Sequence, residues 1–204
     1  THAVPLREEG GGSALVLGIT RDITARKVAQ EERARLDRTY RALTKANEAI
    51  LKAKTEQELF DRACEIAVEV GGFVLGAILR LGADGMLTRA AAKGSGADFP
   101  AQRPSADAAR PEGRGLAGEA CRSGKPVVSN DFASDPRIGV LRGPMGYEVR
   151  SVAVFPIFAE GAVAGVFGPE HAEKDAFTPE LASLLERVAQ NISFALTNFR
   201  REAA

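Results

Sequence analysis

Gly113-Arg114-Gly115-Leu116-Ala117-Gly118 spells G-x-G-x-x-G, a spacing that can bring backbone close to a pyrophosphate at a helix N-terminus. That chemistry requires a strand directly before the glycines. The preceding stretch, RPSADAARPE, contains proline and reads as a loop. The helix that follows is too short for a full crossover to the strand ending at Asp131. A turn plus a helix start, whose small residues let it lie close to a sheet, accounts for the same pattern. Gly124-Lys125 has the end of a phosphate loop, but Pro126 stands where Ser or Thr must hold magnesium. Two cysteines, Cys64 and Cys121, and two histidines, His2 and His171, are too dispersed for a zinc site or a Ser-His-Asp set. Cys64 falls on an apolar stripe and reads as an inert core thiol. Cys121 has Arg122 and Lys125 nearby, which favour a thiolate, but packing in a core also explains it. Asp131, Asp135 and Glu148 fall in loops, where carboxylates cap turns or touch ligands.

The totals narrow the function classes. The 204 residues carry 27 basic and 27 acidic side chains, for a formal net charge of zero. Nothing in that balance argues for nucleic acid or an anionic membrane as partner. No apolar run approaches the ~18 residues that span a bilayer. The opening THAVPLREEGGG lacks the layout of a signal peptide. Two isolated cysteines fit a reduced, cytoplasmic setting.

Candidate groups need elements to position them. The chain is organised around Arg150–Gly168, where Val152–Phe158 and Ala162–Phe167 read as strands joined by a Glu160-Gly161 hairpin turn. Their nearly continuous apolar character predicts a strand pair covered on both faces. Pro156 argues against a central strand, since it cannot donate to a ladder. Further strands are expected at Phe73–Leu81, Met86–Lys93 and Pro126–Asn130. Near the start, Val4–Leu6 and Ser13–Arg21 predict two more. Thr55-Glu56-Gln57-Glu58 is a capping box opening a helix whose apolar face is Leu59, Phe60, Ala63, Cys64, Ala67 and Val70. Gly115–Arg122 and the residues after Asp135-Pro136 predict short helices, and Thr178-Pro179 opens a long last one. Between residues 24 and 54 the chain lacks Gly and Pro. There Leu36, Tyr40, Leu43, Asn47 and Ile50 form a heptad seam, on which Asn47 would set register between two chains.

Two stretches resemble known families. GITRDITARK resembles the end of a PAS domain, where a last strand meets a D-I-T motif; the family's Asp and Thr fall on Asp22 and Thr24. That resemblance implies a relay role for both residues. Residues 40–199 resemble a GAF domain. The features are ELFDRA at Glu58–Ala63, GRGLAGEACRSGKPVVSNDFASDPR at Gly113–Arg137, the central hairpin, and FTPELASLLERVAQNISFAL. The implied fold is α+β: a five- or six-stranded antiparallel sheet with helices on both sides. Long helices at the two ends would form a dimer bundle. The implied organisation is a PAS remnant at 1–23, a linker helix at 24–54 and a GAF sensor at 55–204.

By the GAF resemblance, a ligand cavity lies between the sheet and the loops before the central hairpin. Ser129, Asp131, Cys121, Tyr147, Arg150 and Ser151 are its candidate lining. Arg150 would pair with an anion or sit at the surface; Tyr147 would stack on a ring or close a core. The cyclic-nucleotide, bilin and methionine-sulfoxide-reducing patterns of the family are absent. The expected function is a small-molecule-sensing or dimerising regulatory module of a sensor kinase or cyclic-dinucleotide enzyme. It is not expected to be an enzyme itself. The partners expected are a small molecule of unknown identity and a second copy of the chain. The alternatives are a free methionine-sulfoxide-reductase-like enzyme, which needs two cysteines meeting in the pocket, and a ligand-free dimerisation module.

Overall fold

A computed structural model describes residues 2–6, 15–19, 26–27, 52–95, 97, 103–138 and 148–203. The chain divides into two units, Thr1–Arg38 and Thr39–Ala204. In the first, β1 (His2–Leu6) pairs antiparallel with β2 (Leu15–Ile19), Val4 opposite Leu17. Both expected strands are therefore present. Asp22, Thr24 and the seam carrying Asn47 lie outside the described residues.

The second unit is built on β3 (Leu75–Leu81), β4 (Leu87–Gly94), β5 (Val127–Ser129), β6 (Ser151–Ala159) and β7 (Ala162–His171). They form one five-stranded antiparallel sheet in the order β4-β3-β7-β6-β5. The expected hairpin is its middle. Glu160 and Gly161 both take positive φ, 52° and 83°, which matches the turn to the twist of the two strands. Pro156 is tolerated because β5 covers only Val152–Val154 of its neighbour, so no strand pairs with Pro156 on that side.

Helix α1 (Glu56–Glu69) begins as the capping box predicts: the Thr55 hydroxyl accepts from the Glu58 amide at 3.1 Å. The Glu58 carboxylate, however, accepts from the Lys54 amide at 2.8 Å, one residue outside the usual partner. Helix α2 (Leu116–Ser123) starts at Gly115 and stops at Gly124, which takes the left-handed φ of 61°. Helix α3 (Pro179–Ala203) is capped by Thr178, whose hydroxyl accepts from Leu181.

The sheet separates two cores. Phe155, Ile157, Phe167 and Ile78 pack with α1 and α3 on one face. Val152, Val154, Val166 and Leu87 pack with Leu116, Ala120 and Cys121 of α2 on the other. Period-two alternation along β6 sends Val152 and Val154 one way and Ala153, Phe155 and Ile157 the other. That is why its apolar run is nearly unbroken.

Candidate functional site

The candidate residues come from β5, the excursion after it and the start of β6. Ser129 ends β5 opposite Val152, and Ser151 opens β6 opposite His171, so the polar candidates gather at one end of the sheet. His171 is thereby the end of β7, and its ring stands edge-on to Phe73.

Asp131, Arg150 and Ser151 each have a side-chain partner within the chain, while the Ser129 hydroxyl and the Asp131 Oδ1 are buried without a hydrogen bond. Ser129 is buried, its hydroxyl alongside the Asp135 carboxylate but outside ordinary hydrogen-bond geometry. Asp131 accepts from Lys174 Nζ at 2.8 Å, and this bond, with help from Ser134, holds its carboxyl below the usual range. Arg150 pairs with Glu148 at 2.6 Å while about half exposed. Its backbone amide donates to the His171 carbonyl. Ser151 is fully buried and donates to the Glu173 carbonyl at 2.7 Å. Tyr147 lies outside the described residues.

Cys121 is a core residue of α2. Burial pushes its thiol up to about 11, against the pull of the Arg122 charge, so Arg122 does not activate it. Arg122 instead donates to the carbonyls of Ala106 and Gly113. Burial also pushes the Cys64 thiol up to about 12. Cys64 packs in the α1–α3 core and Cys121 in the α2 core, so the sheet stands between them. They do not meet as the reductase alternative requires.

The glycine motif serves packing. A Cβ on Gly118 would overlap the carbonyls of Gly113 and Ser105, and one on Gly113 would overlap that of Asp107. The close approach is thus to the 103–115 loop, where the sequence suggested the sheet. That loop is sewn to the β3–β4 turn by the buried Ser105, whose hydroxyl donates to Gly85.

Two groups of partners emerge only in three dimensions. Arg137 bonds Asp135 at 2.5 Å, Glu119 of α2 at 3.1 Å and the Val128 carbonyl at 3.1 Å. The Arg137 guanidinium holds the Asp135 carboxyl well below the usual carboxylate range, burial opposing. The network locks β5, α2 and the 3-10 turn Pro136–Ile138 together. Asn130 bonds the backbone of Phe177 twice, donating to its carbonyl and accepting from its amide, both at 3.0 Å. Alternation about Ser129 hints at Asn130, but its partner is far away in sequence.

No group of His, Cys, Asp or Glu among the described residues could hold a metal ion. No described helix is long and apolar enough to cross a membrane.

The structure can be compared with known ones. A GAF domain from a phosphoenolpyruvate-protein phosphotransferase of Coxiella burnetii superposes with a TM-score of 0.68 at 16% identity, covering 81% of this chain and 96% of that one. The free methionine-R-sulfoxide reductase of Neisseria meningitidis, solved with its substrate, gives 0.67 at 20% identity, covering 81% and 92%. Residues 122 to 287 of a methyl-accepting chemotaxis protein give 0.61 at 20% identity, covering 78% and 99%. These likenesses establish the fold. No curated protein matches the sequence. The expectation that the chain is not an enzyme is corrected here. The same fold carries free methionine-R-sulfoxide reductases in several neighbours, so it gives no ground for a non-catalytic assignment. The sequence pattern of the GAF domain matches residues 53–197, most of the chain, and the chain belongs to the GAF domain family.

Proposed function

We propose that this GAF domain is a small-molecule-sensing or dimerising regulatory module of a signal-transduction protein. In this reading it follows a PAS remnant at 1–23 through a linker helix at 24–54, and it serves a sensor kinase or a cyclic-dinucleotide enzyme. The observation that carries it is the outer face of α3. The helix runs 25 residues and buries Leu181, Leu184, Leu185, Val188, Ile192 and Leu196. On its other side Glu180, Ser183, Arg187, Gln190 and Phe194 are exposed at alternating spacings of three and four. Phe194 is 62% exposed. Phe194 is a large aromatic held in water on an otherwise polar face, and a second copy of the helix packed there would cover it. The neighbours that are GAF domains of a phosphotransferase or part of a chemotaxis protein support a signalling role.

Light scattering tests the dimer. The 21.6 kDa chain is expected at twice its mass, and Phe194→Ser is expected to weaken association by about tenfold or more, since burying a Phe contributes about 2 kcal/mol. A monomer at every concentration would overturn that part. Native mass spectrometry of the purified chain tests the sensor. A bound small molecule that is lost on substituting Asp131 supports it, and bare protein from every expression condition counts against it.

A further inference from the structure

Residues 172–178 connect β7 to α3, and the edge of the candidate site holds them at every step. Ser151 donates to the Glu173 carbonyl at 2.7 Å, and Asp131 pairs with Lys174 at 2.8 Å. The Asp175 amide donates to the Asn130 carbonyl at 3.0 Å. Asp175 itself sits at φ 56°, a left-handed conformation uncommon for a residue with a side chain. The Asn130 side chain then takes both the amide and the carbonyl of Phe177. Phe177 is buried, its ring stacked on Phe73 at 5.6 Å, and the next residue, Thr178, caps α3. The segment is a strap that runs from the end of β7 to the root of the long helix, with Phe177 anchoring its helix end in the core.

Ser129 and Asn130 are consecutive at the end of β5 and have different outlooks. Ser129 shares the face of Val127, which packs in the α2 core, and lies beside the Asp135 carboxylate. Asn130, the next residue, reaches the opposite side, where Phe177 joins the α1–α3 core. A rotation of the end of β5 therefore moves both faces at once. β5 is only three residues long and has one strand neighbour, so its end is held chiefly by the Arg137 network on one side and by the bonds of Asn130 and Asp131 to the strap on the other.

We infer that Asn130 is a positioning residue through which a change on the α2 side of the sheet is passed, by way of the 172–178 strap, to the first turn of α3. This deepens the proposed sensor function and rests on it: it names the route from the site to the helix. The two hydrogen bonds to Phe177 fix the side chain's orientation, because an amide satisfies this donor and this acceptor only one way round.

Amide hydrogen exchange on the whole chain tests the route with a double-mutant cycle and needs no ligand. Ser129→Val perturbs the α2 side and Asn130→Ala cuts the link. Asn130→Ala is expected to speed exchange at residues 177–184 by about tenfold, leaving α1 and the far half of α3 unchanged. Ser129→Val is expected to alter the same amides in the parent chain and to leave them unaltered in the Asn130→Ala background. An equal effect of Ser129→Val in both backgrounds, or no effect in the parent, would overturn the inference. Should Asn130→Ala fail to fold, Asn130→Asp serves. It keeps the acceptor for the Phe177 amide and faces the Phe177 carbonyl with an oxygen, and the same two comparisons decide. Coupling found without a bound molecule in mass spectrometry would count against the sensor role alone. A bound molecule without coupling would count against the strap alone.

Discussion

Asp135 shows how a residue beside the site works for the fold. Its side chain is bonded to Arg137, which depresses its folded-state pKa against the opposing effect of burial. A carboxylate of this kind contributes stability above its unfolded pKa of about 4, and the contribution is lost as pH falls below that value. Asp135→Asn is therefore expected to lower stability at neutral pH and to flatten the acid limb of a denaturation-midpoint profile between roughly pH 4 and 2. An unchanged acid limb would count against the pairing. Gly118 and Gly72 make a second test. Gly118→Ala forces a methyl onto two backbone carbonyls and is expected to cost about 1–3 kcal/mol by chemical denaturation. Gly72 has a positive φ but open space around it, so Gly72→Ala is expected to cost only about 1–2 kcal/mol, from backbone strain. Equal insensitivity at both positions would show that α2 is not seated on the loop as described.

At the scale of elements, the β6–β7 hairpin is set by its turn. Glu160 takes a φ of 52° where Asn or Gly is preferred, and its side chain is exposed. Glu160→Asn is expected to stabilise the chain by about 0.5–1 kcal/mol, read as a higher denaturation midpoint with the same slope. A lower midpoint would mean that Glu160 has a role beyond the turn. Helix α3 was legible in the sequence down to its cap, because Thr178-Pro179 and the apolar spacing are local signals. The short α2 was legible too, but its glycines pointed to the wrong neighbour. Which backbone a small residue admits depends on the loop that folds over it.

At the scale of the molecule, one sheet joins two cores, and each core holds one cysteine. The strands β6 and β7 contribute to both, so neither core can dissolve alone without exposing half of the shared strands. Labelling of Cys64 and of Cys121 in denaturant is expected to show coincident midpoints, matching that of circular dichroism. With both thiols raised by burial, neither should react rapidly in the folded state near pH 8. An earlier midpoint for Cys121 would show that the α2 side opens separately.

The sequence by itself determined the order of the described elements, the central hairpin and the caps of α1 and α3. These follow from apolar period, turn chemistry and capping, all of which act over a few residues. The resemblance to a GAF domain supplied the α+β sheet architecture and the grouping of Ser129, Asp131, Arg150 and Ser151. The tertiary structure alone decided which partners those residues take. It turned Ser151 and Asp131 toward the strap before α3, paired Arg150 with Glu148, and put Cys64 and Cys121 on opposite sides of the sheet. It also brought Asn130 to Phe177 and Arg137 to Glu119. The reason is physical: the partner of a buried polar group is set by which distant backbone arrives beside it, and local sequence does not encode that arrival.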